Sequence, residues 1–163
     1  MLNFFFYGTL LEPEVQRLVL QRDVPSESVV PATLVGYRRY MVLNASYPAA
    51  VRQPGAEIDG IVMIGLDALD AARLSIFEGD DYVAANCSVK ITEDKSGKYR
   101  PKQAWVFIAT DRMPLTKADW SLKTWRVAHI GQILEIANNR LGVRGDDNVA
   151  VQERIWRARL KTG

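Results

Sequence analysis

Apolar and polar positions divide the chain into segments of different period. Leu2 to Tyr7 is a short, aromatic and apolar run, the signature of a buried strand. Gly8-Thr9 turns the chain. Leu11, Val15, Leu18 and Val19 then recur at helical spacing, and Glu12, Pro13 and Glu14 suit a first helical turn. Residues 10–20 therefore read as a helix entered directly from the glycine turn, with Thr9 as its N-cap. From Val29 to Met63 the texture becomes β. Val29-Val30, Thr33 to Val35, Tyr37 to Leu43 and Ile58 to Ile64 are rich in β-branched and aromatic residues, and Gly36, Asn44, Pro48, Pro54-Gly55 and Gly60 punctuate them.

Leu66 to Phe77 returns to helical spacing through Leu69, Ala72, Arg73, Ile76 and Phe77. Asp67 suits the N-cap, with Asp70 three residues on as an acidic variant of the capping box. Gly79 stands where such a helix closes in a left-handed conformation. Val83 to Thr92 and Ala104 to Ala109 read as strands around a turn at residues 95–98. A helix is predicted from Pro114 to Asn138, broken by Leu141 to Gly145, and a basic amphipathic helix from Val149 to Lys161. Many short strands with helices at intervals predict an α+β domain around a mostly antiparallel sheet or small barrel.

Composition narrows the chemistry. A chain of 163 residues is long enough to bury a core without disulfides or metals. Twenty-one basic against 19 acidic residues leave a net charge of +2, too small for nucleic-acid binding by bulk charge. One cysteine, Cys87, and one histidine, His129, exclude a disulfide framework, a Cys/His zinc site and a CxxC pair. Cys87 reads as a core residue, and His129 as a partly buried, hydrogen-bonded one, which disfavours covalent triad hydrolysis. The usual phosphate-binding glycine motifs are absent. No cationic region precedes the first apolar run, and no stretch approaches the length of a membrane span. The expectation is a soluble cytoplasmic protein with no nucleic acid and no membrane as partner.

Three short segments carry candidate chemistry. Tyr7-Gly8-Thr9-Leu10 points backbone N–H groups outward at a strand-to-helix turn, where a carboxylate could bind; it is equally a plain turn. Glu78 ends the predicted second helix. There the helix dipole, Asp80 and Asp81, and any desolvation by Phe77 would all raise its pKa toward the range of a general base; it is equally a solvated glutamate before a helix-ending glycine. Tyr47-Pro48, with Arg52 following, is either a pocket wall or simply a turn.

In combination these segments change meaning. Tyr7-Gly8-Thr9-Leu10 is followed by Gly36-Tyr37-Arg38-Arg39-Tyr40, Tyr47-Pro48, Asp59-Gly60-Ile61-Val62, Leu66-Asp67 and Phe77-Glu78-Gly79 with Tyr82. That order resembles the γ-glutamylcyclotransferase-like superfamily, in particular the branch holding γ-glutamylamine cyclotransferases and plant avirulence-induced-gene proteins. The resemblance implies a small mixed β-barrel flanked by helices. It places a barrel domain at 1–112 and a C-terminal helical extension packed on it at 113–163. It implies that Tyr7, Gly8, Thr9 and Leu10 hold the α-carboxylate of a γ-glutamyl compound. Tyr47 and Tyr82 would line the same pocket, with Glu78 as the general acid/base. The implied reaction releases 5-oxoproline and a free amine or amino acid, with no metal or organic cofactor. Two positions depart from the pattern: Ala84 stands where many members carry Arg, and Phe107 where many carry Tyr. A non-catalytic small-molecule-binding module using the same pocket is the alternative reading. A nucleic-acid or partner-binding role for Arg154 to Lys161 is the third.

Overall fold

The computed structural model describes residues 1–92, 97–142 and 145–162, the last segment's first two residues by backbone alone. Five strands, β1 (Leu2–Phe6), β2 (Val29–Met41), β3 (Pro48–Leu66), β4 (Tyr82–Thr92) and β5 (Tyr99–Ala109), close into a barrel in the order β1-β3-β2-β4-β5. Every pairing is antiparallel except β1 with β5, where Phe4 lies opposite Trp105 and Phe5 opposite Val106. This is the mixed, mostly antiparallel α+β architecture expected from the sequence.

Strand alternation gives β1 two apolar faces. Phe5 and Tyr7 point into the barrel with Leu34, Ile58, Val62, Val89 and Val106. Phe4 and Phe6 point outward into a second core shared with the helices. A strand covered on both sides needs no polar face, which explains its unbroken aromatic run.

Several runs that the sequence separates are fused. The first three β-textured segments become parts of β2 and its end, bent at Gly36 (φ 84°) by a bulge between Val35 and Tyr37. Pro54-Gly55, read as a break, lies within β3. There Val35 pairs with Glu57 and Tyr37 with Arg52, so Gln53 to Ala56 bulge out opposite Gly36. Gly60 is required by close approach: a Cβ there would stand 2.1 Å from the Phe6 carbonyl oxygen.

Four α-helices pack outside: α1 (Pro13–Leu20), α2 (Ala68–Glu78), α3 (Leu122–Gly142) and α4 (Gly145–Thr162). The capping box of α2 forms as predicted, with Asp67 accepting from the Asp70 amide at 2.8 Å and Asp70 from the Asp67 amide at 3.2 Å. The Asp70 carboxylate also takes two bonds from Arg22, at 2.7 and 3.1 Å. Gly79 has positive φ (77°) but an extended ψ of −173°, a glycine conformation other than the left-handed helical one expected.

The third helix starts later than its periodicity predicts. Residues 113–121 run instead along the end of β2, with Met41 and Thr116 and Leu43 and Pro114 joined by backbone bonds of 2.8–2.9 Å. Partners on β2 satisfy these backbone groups, and Trp120 anchors the segment through Nε1 to the Ser46 carbonyl at 3.0 Å. On α4, Trp156 is fully buried, edge-on to Phe4 and Trp105 at 5.2 and 5.0 Å, with Nε1 donating to Ser75 at 2.9 Å. Arg159 stacks on Trp156 and Trp105, and Arg157 pairs with Glu153, so part of the basic face serves packing. The predicted turn at 95–98 lies partly outside the described residues. No helix among the described residues is long and apolar enough to cross a membrane.

Candidate active site

The strand ends nearest α2 and α3 surround a cavity that opens to solvent at its mouth. Tyr7, Gly8, Thr9, Leu10, Tyr47, Glu78 and Tyr82, the whole set of sequence-derived candidates, line it. Two stretches some seventy positions apart therefore meet across one hollow.

The glycine turn is built differently from expectation. Gly8 does not lead straight into α1. A 3₁₀ turn over Thr9–Leu11 intervenes, and Glu12, not Thr9, precedes the helix at Pro13. The dipole of α1 is therefore not the source of positive potential here. The turn itself supplies it: Leu11 and Glu12 donate back to Gly8 and Thr9 carbonyls, while the amides of Gly8, Thr9 and Leu10 have no acceptor among the described residues. Free amides in residues that line a cavity suit an anion. Pro48 packs so closely on Gly8 that a Cβ there would lie 3.0 Å from Pro48 Cγ, which fixes the Tyr47-Pro48 turn as a wall of the cavity.

Both barrel tyrosines are committed to structure. The Tyr7 hydroxyl donates to the Phe107 carbonyl at 2.6 Å and accepts from the Ala50 amide at 3.0 Å, while Arg39 holds the Tyr7 carbonyl at 2.8 Å. The Tyr82 hydroxyl donates to the Pro48 carbonyl at 2.8 Å. Burial raises the pKa of each, with the nearby Glu78 charge adding to it, so both remain neutral donors.

Glu78 stands apart. Half-buried as a residue, it faces the cavity, and its carboxyl has no hydrogen bond or ion pair with any described residue. Desolvation lifts its pKa from 4.5 to about 8, and the Arg140 charge opposes the rise. Asp80 and Asp81, expected to contribute, are exposed, where water screens them. The direction anticipated from the sequence holds, with burial as its cause.

Sequence reasoning missed the fourth wall. Ile133, Ile136 and Arg140 come from α3. Their spacing of three and four residues places them on one helical face, a signal present in the chain. Arg140 donates through Nη1 to the Phe77 carbonyl, next to Glu78. Phe107 lines the cavity, whereas Ala84 does not. Arg52 and Cys87 line a separate groove on the far side of β2 and β4. Cys87 is half-buried there, packed against the edge of the barrel core and 3.6 Å from the Tyr37 hydroxyl. His129 is partly buried on α3 and contacts Gln132 at 3.3 Å. Among the described residues no cluster of His, Cys, Asp or Glu could hold a metal ion.

A closed five-stranded barrel thus carries, at one end, a cavity lined both by an unpartnered carboxyl and by residues with free amides. Residues 4–126 match the gamma-glutamyl cyclotransferase, AIG2-like family, and the chain belongs to that family. Protein AIG2 C of Arabidopsis thaliana is 29% identical over 161 residues, spanning 99% of this chain and 94% of its own. AIG2-like protein A of the same plant is 28% identical over 82% of this chain and 77% of its own. An Arabidopsis thaliana protein solved in solution superimposes with a TM-score of 0.57 at 26% identity, covering 90% of this chain and 86% of that one. A structure named gamma-glutamyl cyclotransferase shares the fold, with a TM-score of 0.51 at 17% identity, over 94% and 85% of the two chains.

Proposed function

We propose that the protein converts a γ-glutamyl compound into 5-oxoproline and a free amine or amino acid. The observation that carries this reading is the unpartnered carboxyl of Glu78 facing the same cavity as the unpaired amides of Gly8, Thr9 and Leu10. Those amides hold the substrate's α-carboxylate. Anchoring there brings the α-amine and the γ-carbonyl of one molecule into a near-attack arrangement.

The α-amine is mostly protonated at neutral pH. Glu78 in its ionised form takes a proton from it, and the amine attacks the γ-carbon. A C–N bond closes the five-membered lactam, and the tetrahedral intermediate then breaks its bond to the second nitrogen, which leaves with the proton held by Glu78, while the ring nitrogen gives up its remaining extra proton to the released amine. No water is consumed and no covalent enzyme intermediate forms. A carboxyl with a pKa near 8 is matched to both proton transfers, a contribution of about 10²–10⁴-fold. Tyr47, Tyr82 and Phe107 shape the wall around the glutamyl chain.

Glu78→Gln is the test. The variant is expected to fold and to bind 5-oxoproline, yet to lose at least nine-tenths of 5-oxoproline formation from a panel of γ-glutamyl amines and amino acids. Retention of more than a tenth removes Glu78 as the base. Binding of the panel by the unaltered protein without 5-oxoproline release supports the non-catalytic module instead.

A further inference from the structure

Arg140 is the only basic side chain among the described residues lining the Glu78 cavity, and it also lines a second, open cavity between α2, α3 and α4. One guanidinium nitrogen donates to the Phe77 carbonyl. No described carboxylate forms an ion pair with Arg140. The guanidinium lies against Gly79 so closely that a Cβ there would stand 3.2 Å from Nη1. Arg140 thus brackets Glu78 on both chain neighbours, through Phe77 and over Gly79, with donors left over.

We propose that Arg140 selects the leaving group, favouring γ-glutamyl α-amino acids over γ-glutamyl amines and excluding cationic leaving groups. The inference rests on the cyclotransferase reading above. Glu78 must reach the departing nitrogen, so whatever that nitrogen carries lies within a few ångströms of Glu78. An α-amino acid places its carboxylate one carbon from that nitrogen, within the span of the bracketing guanidinium. A charge-assisted, bidentate pair forms there in a partly desolvated site. Without Arg140, the same carboxylate would enter a partly desolvated wall that offers no other basic side chain among the described lining residues. Ile133 and Ile136, on the same face of α3, give an apolar side chain of the leaving amino acid a surface to pack on. A leaving group ending in an ammonium meets Arg140 as a like charge.

The measurement is kcat/KM for 5-oxoproline release from γ-glutamyl-alanine, γ-glutamyl-ethylamine and γ-glutamyl-putrescine, in the unaltered protein, Arg140→Gln and Arg140→Lys. Because Arg140 also acts on Glu78, the readout is the ratio between substrates within each variant, in which any change at the base cancels. In the unaltered protein the alanine compound is expected to exceed the ethylamine compound by about ten- to a hundredfold, the range of a charge-assisted bond. The putrescine compound should be the poorest. Arg140→Gln is expected to bring the three within about threefold, a near-complete loss of the charge-assisted preference, and Arg140→Lys to restore part of the order. Equal rates on all three in the unaltered protein, or a preference that survives Arg140→Gln, overturns the proposal. A loss in equal proportion on all three in Arg140→Gln, with the order among them unchanged, also overturns it, because that is the mark of a residue serving the glutamyl moiety or the base they share. If the folded, unaltered protein releases 5-oxoproline from none of them, the cyclotransferase reading itself falls, and the leaving-group proposal with it. Circular dichroism of each variant shows that the fold is retained, and Arg140→Lys keeps the test decisive if Arg140→Gln does not fold.

Discussion

Replacing Glu78 by Gln should make the protein more stable while removing its activity, and the size of that gain depends on pH in a way that only a buried carboxyl produces. In the unfolded chain Glu78 ionises around pH 4.5, and in the fold at about 8. Below pH 4.5 both states hold the proton and the group adds no pH dependence. Between 4.5 and 8 the unfolded state gives up its proton while the folded state keeps it, so stability falls as pH rises. Above 8 both are ionised and the loss is complete. At about 1.4 kcal/mol for each tenfold change in proton affinity, the full loss is on the order of 5 kcal/mol. Gln fills nearly the same volume and cannot ionise. Other titrating groups are common to the two proteins, so their effects cancel in the difference. The assay is urea unfolding followed by fluorescence of the four tryptophans at intervals from pH 4.5 to 9. The stability of Glu78→Gln minus that of the unaltered protein is expected to climb by several kcal/mol across this window and then level off. A difference that stays flat, or that changes by less than about 1 kcal/mol, refutes the claim that burial holds this carboxyl protonated.

Three further outcomes follow from the same geometry. With Glu78 required in its ionised form to begin the reaction, kcat/KM is expected to rise tenfold per pH unit below about 8 and level above it; a profile flat from pH 6 to 9 excludes that role. Trp156→Ala empties the contact with Phe4 and Trp105 and leaves Ser75 without its donor. It should cost about 3–5 kcal/mol in denaturant titration, and a loss below 1 kcal/mol would show that α4 is only lightly docked. Gly60→Ala drives a methyl group into the Phe6 carbonyl, and a loss of about 3 kcal/mol is expected by thermal melting; an unchanged melting temperature would show that β1 and β3 can separate at little cost.

What the chain discloses and what it hides divide along physical lines. Alternation and helical spacing are local, so β1, α2 with its Asp67–Asp70 box, and the apolar strand of β5 are legible directly. The continuity of β2 through Gly36 is not, because a glycine bulge and a strand end look alike until the partner strand is known. Residues 113–121 mislead for the same reason: their periodicity suits a helix, but their hydrogen bonds go to Met41 and Leu43. At the site, Gly8, Thr9 and Glu78 stand out through turn chemistry and the position of a carboxylate at a helix end. Arg140 does not, since its importance comes from α3 crossing over the end of α2, a contact made across more than sixty positions. The cause of the Glu78 shift was likewise hidden. Nearby Asp80 and Asp81 are visible in the chain, whereas the enclosure that dominates exists only after folding.

The double coverage of β1 bears on how the polypeptide reaches its native state. Its neighbours arise late: β3 ends at Leu66, β5 brings Trp105 and Val106, and the helix that roofs Phe4 contributes Trp156. A ribosome exposes Phe4, Phe5 and Phe6 well before the residues that shelter them. Until those residues emerge, three consecutive aromatic rings stand unprotected, a standing invitation to chaperones and to self-association. Closure of the parallel seam between the first and fifth strands, which joins residues a hundred positions apart, is accordingly the step expected to set the pace of folding.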